Sequence, residues 1–346
     1  MDQFPKFISL TITNRCNLRC WMCGQWSPEG YMHQHRDSIK KEMSLPEWTR
    51  IVDELADHQI PSLLLRGGEP FLYPQIIDLL DYIRCKGIFI SIDTNGTMLE
   101  RYAEDIVRIG GIHLTISVDG PPVMHDHIRG VSGTFSRLKQ GVDRLLELEE
   151  NLPEKISKSV NFTICQESIA GLGEMPQVTG DLGIGVIAIV PYYYFPETIG
   201  LAYETEMIRN FNCQANSWRG FHHEQSGVDL RILKEQLQKY RASLGKIYDY
   251  PYMAFTEEQY ATWFQDAHTP IGCTQCNNVE RLIDIQPDGS ANFCVDFPDY
   301  IFGNVRENSI EELWNSQKAE TFRQYRRENP RSICYRCGAK YMSEMN

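Results

Sequence analysis

Cys16, Cys20 and Cys23 stand at C-x3-C-x2-C spacing just after a short β-rich run. Three thiolates on one loop can hold three irons of a cubane cluster and leave the fourth iron open to an outside ligand. Zinc is the other chemistry open to such a set, but it favours four closed ligands. No fourth ligand lies nearby, and His33 and His35 come only after a Ser-Pro-Glu-Gly turn. A second set consists of Cys276, Cys294 (with Gly289 five residues before it), and Cys334 and Cys337 as C-x2-C. Four thiolates gathered by a hairpin and a loop after a helix make a closed set, suited to zinc or to a fully ligated [4Fe–4S] cluster. Cys273 competes with Cys276 for the first place in it. Cys85, Cys165 and Cys213 have no partner at ligand spacing and are expected to be buried apolar residues.

Both sets need elements to position them. Apolar, β-rich runs are predicted at Phe7–Thr13, Pro61–Leu65, Ile88–Ile92, Ile112–Val118, Ser159–Ile164 and Gly185–Val190. Amphipathic helical stretches lie between them. One opens at Ser44, with Pro46 and Glu47 in capping-box register, and others run over 74–86, 98–109, 134–150 and 168–181. Six strand–helix repeats imply a parallel sheet with helices outside it, either open or closing into an incomplete barrel. Both architectures put ligand sites at the C-terminal ends of strands. The unusual residues fall there in order. The first cysteine set follows the first strand, Gly67-Gly68-Glu69-Pro70 the second and Thr94-Asn95-Gly96 the third; Ser117 and Asp119, on one face by alternation, end the fourth.

After about residue 195 the pattern changes. Glu197–Gly227 is aromatic and polar and resists assignment. Helices are predicted over Asp229–Leu244 and Thr256–Gln265, the second with Thr256 and Gln259 as a capping box. From about 271 come Cys273 and Cys276, a hairpin (Leu282–Ile285, a Pro287-Asp288-Gly289 turn, Ala291–Val295), a helix from Ser309 to about Arg327, and the last cysteine pair. The expected division is a core over 1–195, a mainly helical connecting segment over 196–270 on the substrate side, and a small cysteine-bearing α+β domain over 271–346.

The string TNRCNLRCWMCG, followed by RGGEP, DTNGT and SVDGPPVMHDHIRG, closely resembles the radical S-adenosylmethionine (SAM) superfamily over residues 7 to about 195. Met22 departs from it, since the residue before the third cysteine is often aromatic there; a large soft side chain can substitute. The resemblance implies a partial (β/α)6 TIM-like barrel with a SAM-binding [4Fe–4S] cluster on Cys16, Cys20 and Cys23. It places Gly67, Gly68, Glu69 and Pro70 at the methionine amino group, where glycines let carbonyls approach and Glu69 adds charge; a surface turn is the plainer reading. It places Ser117 and Asp119 at the SAM carboxylate or ribose, and Arg129 at the carboxylate, with a structural ion pair to Asp126 as the alternative. Thr94 and Asn95 are SAM contacts or only a turn. The second cysteine set, with C-x12-G-x4-C, Phe302-Gly303-Asn304-Val305 and Ser309–Trp314, resembles the auxiliary-cluster domains called SPASM and twitch. The twitch form, with one auxiliary [4Fe–4S] cluster on Cys276, Cys294, Cys334 and Cys337, is the nearer.

The function this implies is radical oxidation. A flavodoxin or ferredoxin reduces the first cluster, SAM is cleaved to methionine and a 5′-deoxyadenosyl radical, and that radical takes a hydrogen atom from a peptide or small-metabolite substrate. The auxiliary cluster then receives an electron from the substrate radical, giving a dehydrogenation or a new bond. With the first cysteine at 16, no leader-peptide domain is expected before it, which weakens the peptide reading. The rival from another class is a non-catalytic iron–sulfur or zinc protein, an electron carrier or scaffold, which would need no GGEP turn.

The bulk properties agree. A formal charge of −12 over 346 residues argues against a nucleic-acid partner. No apolar run approaches a membrane span, and the N-terminus lacks the pattern of a signal peptide. A cytoplasmic location follows, and there eleven cysteines suit metal better than disulfides. The substrate side is thinner. Pro191-Tyr192-Tyr193-Tyr194-Phe195 can wall a cavity or pack as core; Asp296 and Asp299 can reach the cavity; Trp218 to His223 suit a solvated loop.

Overall fold

Alternation governs the strands that build the site. In β1 (Phe7–Thr13), Ile8, Leu10 and Ile12 alternate with Ser9, Thr11 and Thr13. The next strands are β2 (Ser62–Gly67), β3 (Phe89–Thr94), β4 (Ile112–Ser117), β5 (Ser157–Ile164) and β6 (Val186–Pro191). They repeat the alternation, with Leu64, Phe89, Val186, Ala188 and Val190 as apolar exceptions on the polar face. A period of two sends successive side chains to opposite sides of a sheet. The apolar side, with Leu65, Ile92, Leu114, Phe162 and Ile187, is fully buried. Over it pack α1 (Leu45–Asp57), α2 (Ile76–Cys85), α3 (Leu99–Ile109), α4 (Pro122–Arg129), α5 (Thr134–Glu149) and α6 (Met175–Asp181). Each large side chain so withdrawn from water contributes about 1.5–3 kcal/mol. The outer face therefore holds the sheet together, and the inner face is free to be polar.

The computed structural model describes residues 4–33, 36–272, 276–329 and 332–338. β1 to β6 run parallel in sequence order, the open, partial barrel expected from the strand–helix repeats. The chain continues through α7 (Glu197–Phe211), α8 (Leu230–Ser243), β7 (Tyr248–Asp249) and α9 (Glu257–Gln265). β7 adds to the sheet beside β6. After α10 (Asn278–Arg281), β8 (Leu282–Ile285) pairs parallel with β1, Phe7 opposite Leu282. β9 (Ser290–Asn292) and β10 (Gly303–Asn304) follow antiparallel, completing a 10-stranded sheet. The hairpin of the second cysteine set thus continues the core sheet on its β1 side. α11 (Ile310–Trp314) and α12 (Gln317–Glu328) close the described fold.

Local chemistry explains most of the agreement with expectation. Ser44 and Glu47 cap α1 reciprocally, as Thr256 and Gln259 cap α9. Three differences have local causes. The predicted helix from Ser309 is two, because Ser316 caps a new start by accepting from the Ala319 amide at 3.2 Å. The second hairpin strand stops at Asn292, whose Oδ1 accepts from the Cys294 amide at 2.9 Å and turns the chain off the ladder. Cys85, expected to be buried, is exposed, because it is the last residue of α2, beyond the inward-facing Ile83.

Candidate active site

The first cysteine loop is held from several directions. At its start Glu42 accepts from Thr13 Oγ1 (2.6 Å) and the Asn14 amide (3.2 Å) and pairs with Arg15 (3.1 Å). Gly68 donates to the Thr13 carbonyl and Glu69 to the Arg15 carbonyl, at 2.8 and 2.7 Å. This approach is so close that a Cβ on Gly68 would lie 2.2 Å from the Arg15 oxygen. In the loop, Asn17 receives from Asn95 Nδ2 (3.0 Å) and donates to Thr97 (2.8 Å). Arg19 donates to the Arg129 carbonyl at 3.1 Å, and the Trp26 indole to Asn14 at 2.9 Å. Beneath the loop, the Phe221 ring lies against Gly24. Cys20 is buried, and Cys16 and Cys23 are half-buried. Burial pushes the Cys16 thiol up to about 12 and the Cys20 thiol to about 11, with the neighbouring thiols adding to both. Three neighbouring cysteine sulfurs on one loop fit the donor set of a cluster rather than a packing cluster.

The sequence-predicted SAM residues meet at this end of the sheet. Glu69 is fully buried; its carboxylate accepts from Thr94 Oγ1 (2.9 Å), the Asn95 amide (2.8 Å) and the Phe71 amide (3.2 Å). One carboxylate thereby joins Gly67-Gly68-Glu69-Pro70 to Thr94 and Asn95. Burial pushes it up to about 7 against those three donors. Asp119, also fully buried, pairs with Arg129 at 2.5 Å and accepts from the Thr163 amide at 3.1 Å. Arg129 Nη1 lies 3.7 Å from the Cys20 sulfur. Asp126 is not its partner: that carboxylate accepts from the Gly133 and Phe135 amides at the start of α5. Asp119 therefore orients Arg129, and Ser117 shares the inward face of β4 with His113 and Thr115 by alternation. Asn17, Thr97 and Glu42 went unnoticed in the sequence; Asn17 lies inside the cysteine motif and Thr97 in the DTNGT string, the only signals available.

The inner face of the sheet surrounds a cavity of about 500 Å³. Arg66, Asp93, His113, Thr115, Asn161 and Tyr193 are among its walls. His113 is held between Ser157 and Ser159 (2.8 and 3.0 Å), and burial lowers its pKa, keeping it neutral. Of the predicted aromatic run only Tyr193 lines the cavity; Tyr194 and Phe195 are core and Tyr192 is bound to the Ser226 carbonyl. Asp296 reaches the cavity and pairs with Arg66 at 3.5 Å. Asp299 does not: it accepts from Tyr203 and from the Ser217 and Asn216 amides, tying the C-terminal segment to α7. His222 sits by Glu224 near solvent, whereas His223 packs edge-on against Trp21 and Tyr192.

Cys276, Cys294, Cys334 and Cys337 line one further cavity together with Arg326, Tyr203, Phe297, Val295 and Asp296. They arrive from the start of α10, the end of β9 and the turn after α12. Four converging thiols fit a closed cluster site. Cys273 lies outside the described residues. Val295 and Asp296 line both cavities, so a single stretch of chain separates the lumen from the second cysteine set.

The Gly68 contact yields a first expectation. Gly68→Ala should push the cysteine loop off the Arg15 carbonyl, cost about 1–3 kcal/mol as overpacking, and lower iron retention. Urea unfolding and iron analysis read both; unchanged iron content would show that the close approach does not position the loop.

Residues 10–152 match the radical SAM superfamily, and residues 273–338 match the iron-sulfur cluster-binding domain SPASM. The AdoMet-dependent heme synthase of Methanosarcina barkeri is 24% identical over 98% of this chain and 89% of its own length. SuiB of Streptococcus suis superposes with a TM-score of 0.65 at 15% identity, over 97% of this chain and 72% of SuiB. Native anSMEcpe with bound AdoMet gives 0.57 at 16% identity, over 91% of this chain and 82% of that one. These structural likenesses support the fold, and among the described residues no helix is long and apolar enough to cross a membrane. The chain is a radical SAM enzyme with a C-terminal SPASM iron–sulfur domain, an architecture whose cofactors are SAM, a [4Fe–4S] cluster and auxiliary iron–sulfur.

Proposed function

We propose that this enzyme is a radical SAM oxidoreductase that works on a substrate held in the barrel lumen. The observation that carries this reading is the shared wall, Val295 and Asp296, between the lumen and the four-cysteine cavity. An electron acceptor bound by Cys276, Cys294, Cys334 and Cys337 would stand next to the substrate. With its cofactors bound, the Cys16/Cys20/Cys23 site supplies one-electron cleavage of the sulfonium to methionine and a 5′-deoxyadenosyl radical.

The chain's own residues do the rest. Glu69, fixed by Thr94 and Asn95, offers charge to the SAM ammonium, and an ammonium beside it favours the ionised carboxylate over the proton that burial invites. Gly67, Gly68 and Pro70 shape the loop that carries it. Arg129, oriented by Asp119, pairs with the SAM carboxylate, and Ser117 faces the same space. A cluster held by Cys276, Cys294, Cys334 and Cys337 would supply a one-electron acceptor for the radical left by hydrogen-atom loss, and one proton would pass to a base. Asp296, held by Arg66, is the carboxylate on that wall. The balance is two electrons and two protons removed from the substrate, one pair as the hydrogen atom. A lumen of about 500 Å³ is of the size that encloses a small molecule or a side chain of a peptide. A flavodoxin or ferredoxin is the electron donor, and the cytoplasm the compartment.

The test is anaerobic incubation of the dithionite-reduced protein with SAM, followed by chromatography for 5′-deoxyadenosine. The native chain should form it, and so should Cys334→Ala/Cys337→Ala, because SAM cleavage does not need the second set. Absence of 5′-deoxyadenosine from the native chain would favour the carrier or scaffold reading.

A further inference from the structure

The four-cysteine cavity holds a cation that this chemistry has not yet used. Arg326 lies in the last turn of α12 and is buried. Its Nη2 donates to the Cys334 sulfur at 3.0 Å and its Nη1 to the Asn329 carbonyl at 2.9 Å. A buried guanidinium stays charged and is costly unless negative charge faces it. The groups facing this one are the sulfurs of Cys334, Cys276 and Cys294, which carry negative charge once they ligate metal. Arg323, one turn earlier on the same helix, makes the contrast. Its guanidinium stacks 4.0 Å from Trp314 and donates to the Val279 and Trp314 carbonyls, a scaffold role. Arg326 instead aims at sulfur.

Hydrogen bonds to ligand sulfurs and the net charge nearby set the potential of an iron–sulfur cluster. A fixed positive charge at short range in a low-dielectric site favours the form with one more electron. We propose that Arg326 is a positioning residue of the auxiliary site that raises the reduction potential of the cluster held by Cys276, Cys294, Cys334 and Cys337, and so suits it to accept the substrate's electron. This inference rests on the reading of that site as a [4Fe–4S] site.

The experiment uses the full chain with Cys16, Cys20 and Cys23 changed to alanine, so that only auxiliary iron remains. Iron content and an EPR-monitored redox titration are measured with Arg326 native, Arg326→Gln and Arg326→Lys. About four irons are expected at the auxiliary site. In Arg326→Gln the ratio of reduced to oxidised cluster at a fixed potential should fall tenfold or more, about 59 mV for one electron. Arg326→Lys, which keeps the charge but loses the planar fork, should lie between. A Gln variant at the native potential overturns the role of Arg326 and leaves the auxiliary cluster standing. If the Gln variant does not load iron, Arg326→Met, which also removes the charge, decides: a lowered potential supports the assignment, and a native one overturns it. A parent with no iron on the C-terminal set overturns the cluster reading itself, and the role of Arg326 with it.

Discussion

Changing Cys16, Cys20 and Cys23 together to alanine is expected to take the anaerobically reconstituted chain from about eight irons to about four. It should also bring 5′-deoxyadenosine formation down to background. The expectation is sharp because most of the contacts that shape the loop do not involve its thiols. Glu42 clamps its start, Asn17 ties it to Asn95 and Thr97, the Arg19 amide ties it to α4, and Trp26 bonds back to Asn14. The variant should therefore fold like the native chain, which far-ultraviolet circular dichroism and a urea midpoint would check, and the iron lost would be the iron those thiols held. A native chain with about four irons and a variant with none, zinc taking the remaining place, would make the C-terminal set structural. The proposed oxidation would then lose its electron acceptor.

The second large effect concerns the buried pair of Arg129 and Asp119. Arg129→Met should cost about 3–5 kcal/mol, because it leaves the Asp119 carboxylate buried without its cation. Burial already raises the pKa of Asp119 and Arg129 opposes that rise, so the variant raises it further. A carboxyl that binds its proton more tightly when folded than when unfolded makes the folded state lose stability as pH climbs above the unfolded value. The deficit of Arg129→Met should therefore be larger at pH 8 than at pH 5. Adding Asp119→Asn removes the orphaned charge and should restore most of the stability. It should not restore SAM binding, which is expected to weaken about thirtyfold or more with the lost charge partner. Urea unfolding at the two pH values and equilibrium SAM binding separate the roles: a double variant that binds SAM like the native chain would reduce the pair to scaffold.

The parts of this molecule that were legible in its sequence are those written in short-range patterns. Apolar, β-rich runs placed β1 to β6 within a few residues, and capping chemistry placed the starts of α1 and α9. The cysteine spacings named both sulfur sets, and their cavities follow from where the strands and α12 end. What depended on distant partners was not legible. Arg129 has two aspartates within reach in sequence, and only the fold shows that Asp126 is spent on α5. Asp296 and Asp299 look equivalent in sequence, yet one faces the lumen and the other is consumed by Tyr203 and Ser217. α7 was unassigned because its apolar residues do not fall on one clear face, and α4 because it is only eight residues long. The polar lumen was visible in principle: Ser91, Asp93, His113, Thr115, Ser159 and Asn161 alternate with buried aliphatics. Runs of apolar, β-rich residues find the strands but do not say why one face of them should be wet.

The pairing of β8 with β1 ties the chemistry of the two halves to the way the chain is made. β1 is synthesised long before β8, one of its neighbours in the finished sheet, since the paired residues Phe7 and Leu282 are 275 positions apart in the chain. Until β8 arrives, β1 has a bare side whose amides and carbonyls are open to any passing strand, the usual starting point for aggregation. Contacts this far apart in sequence also form late and slowly. The nascent core therefore carries an unfinished edge right beside the loop that takes the SAM cluster, and the same C-terminal segment that presents the auxiliary cysteines is what finishes it. Loss of that segment would not yield a simpler enzyme lacking one cluster. It would leave the β1 edge of the sheet unpaired.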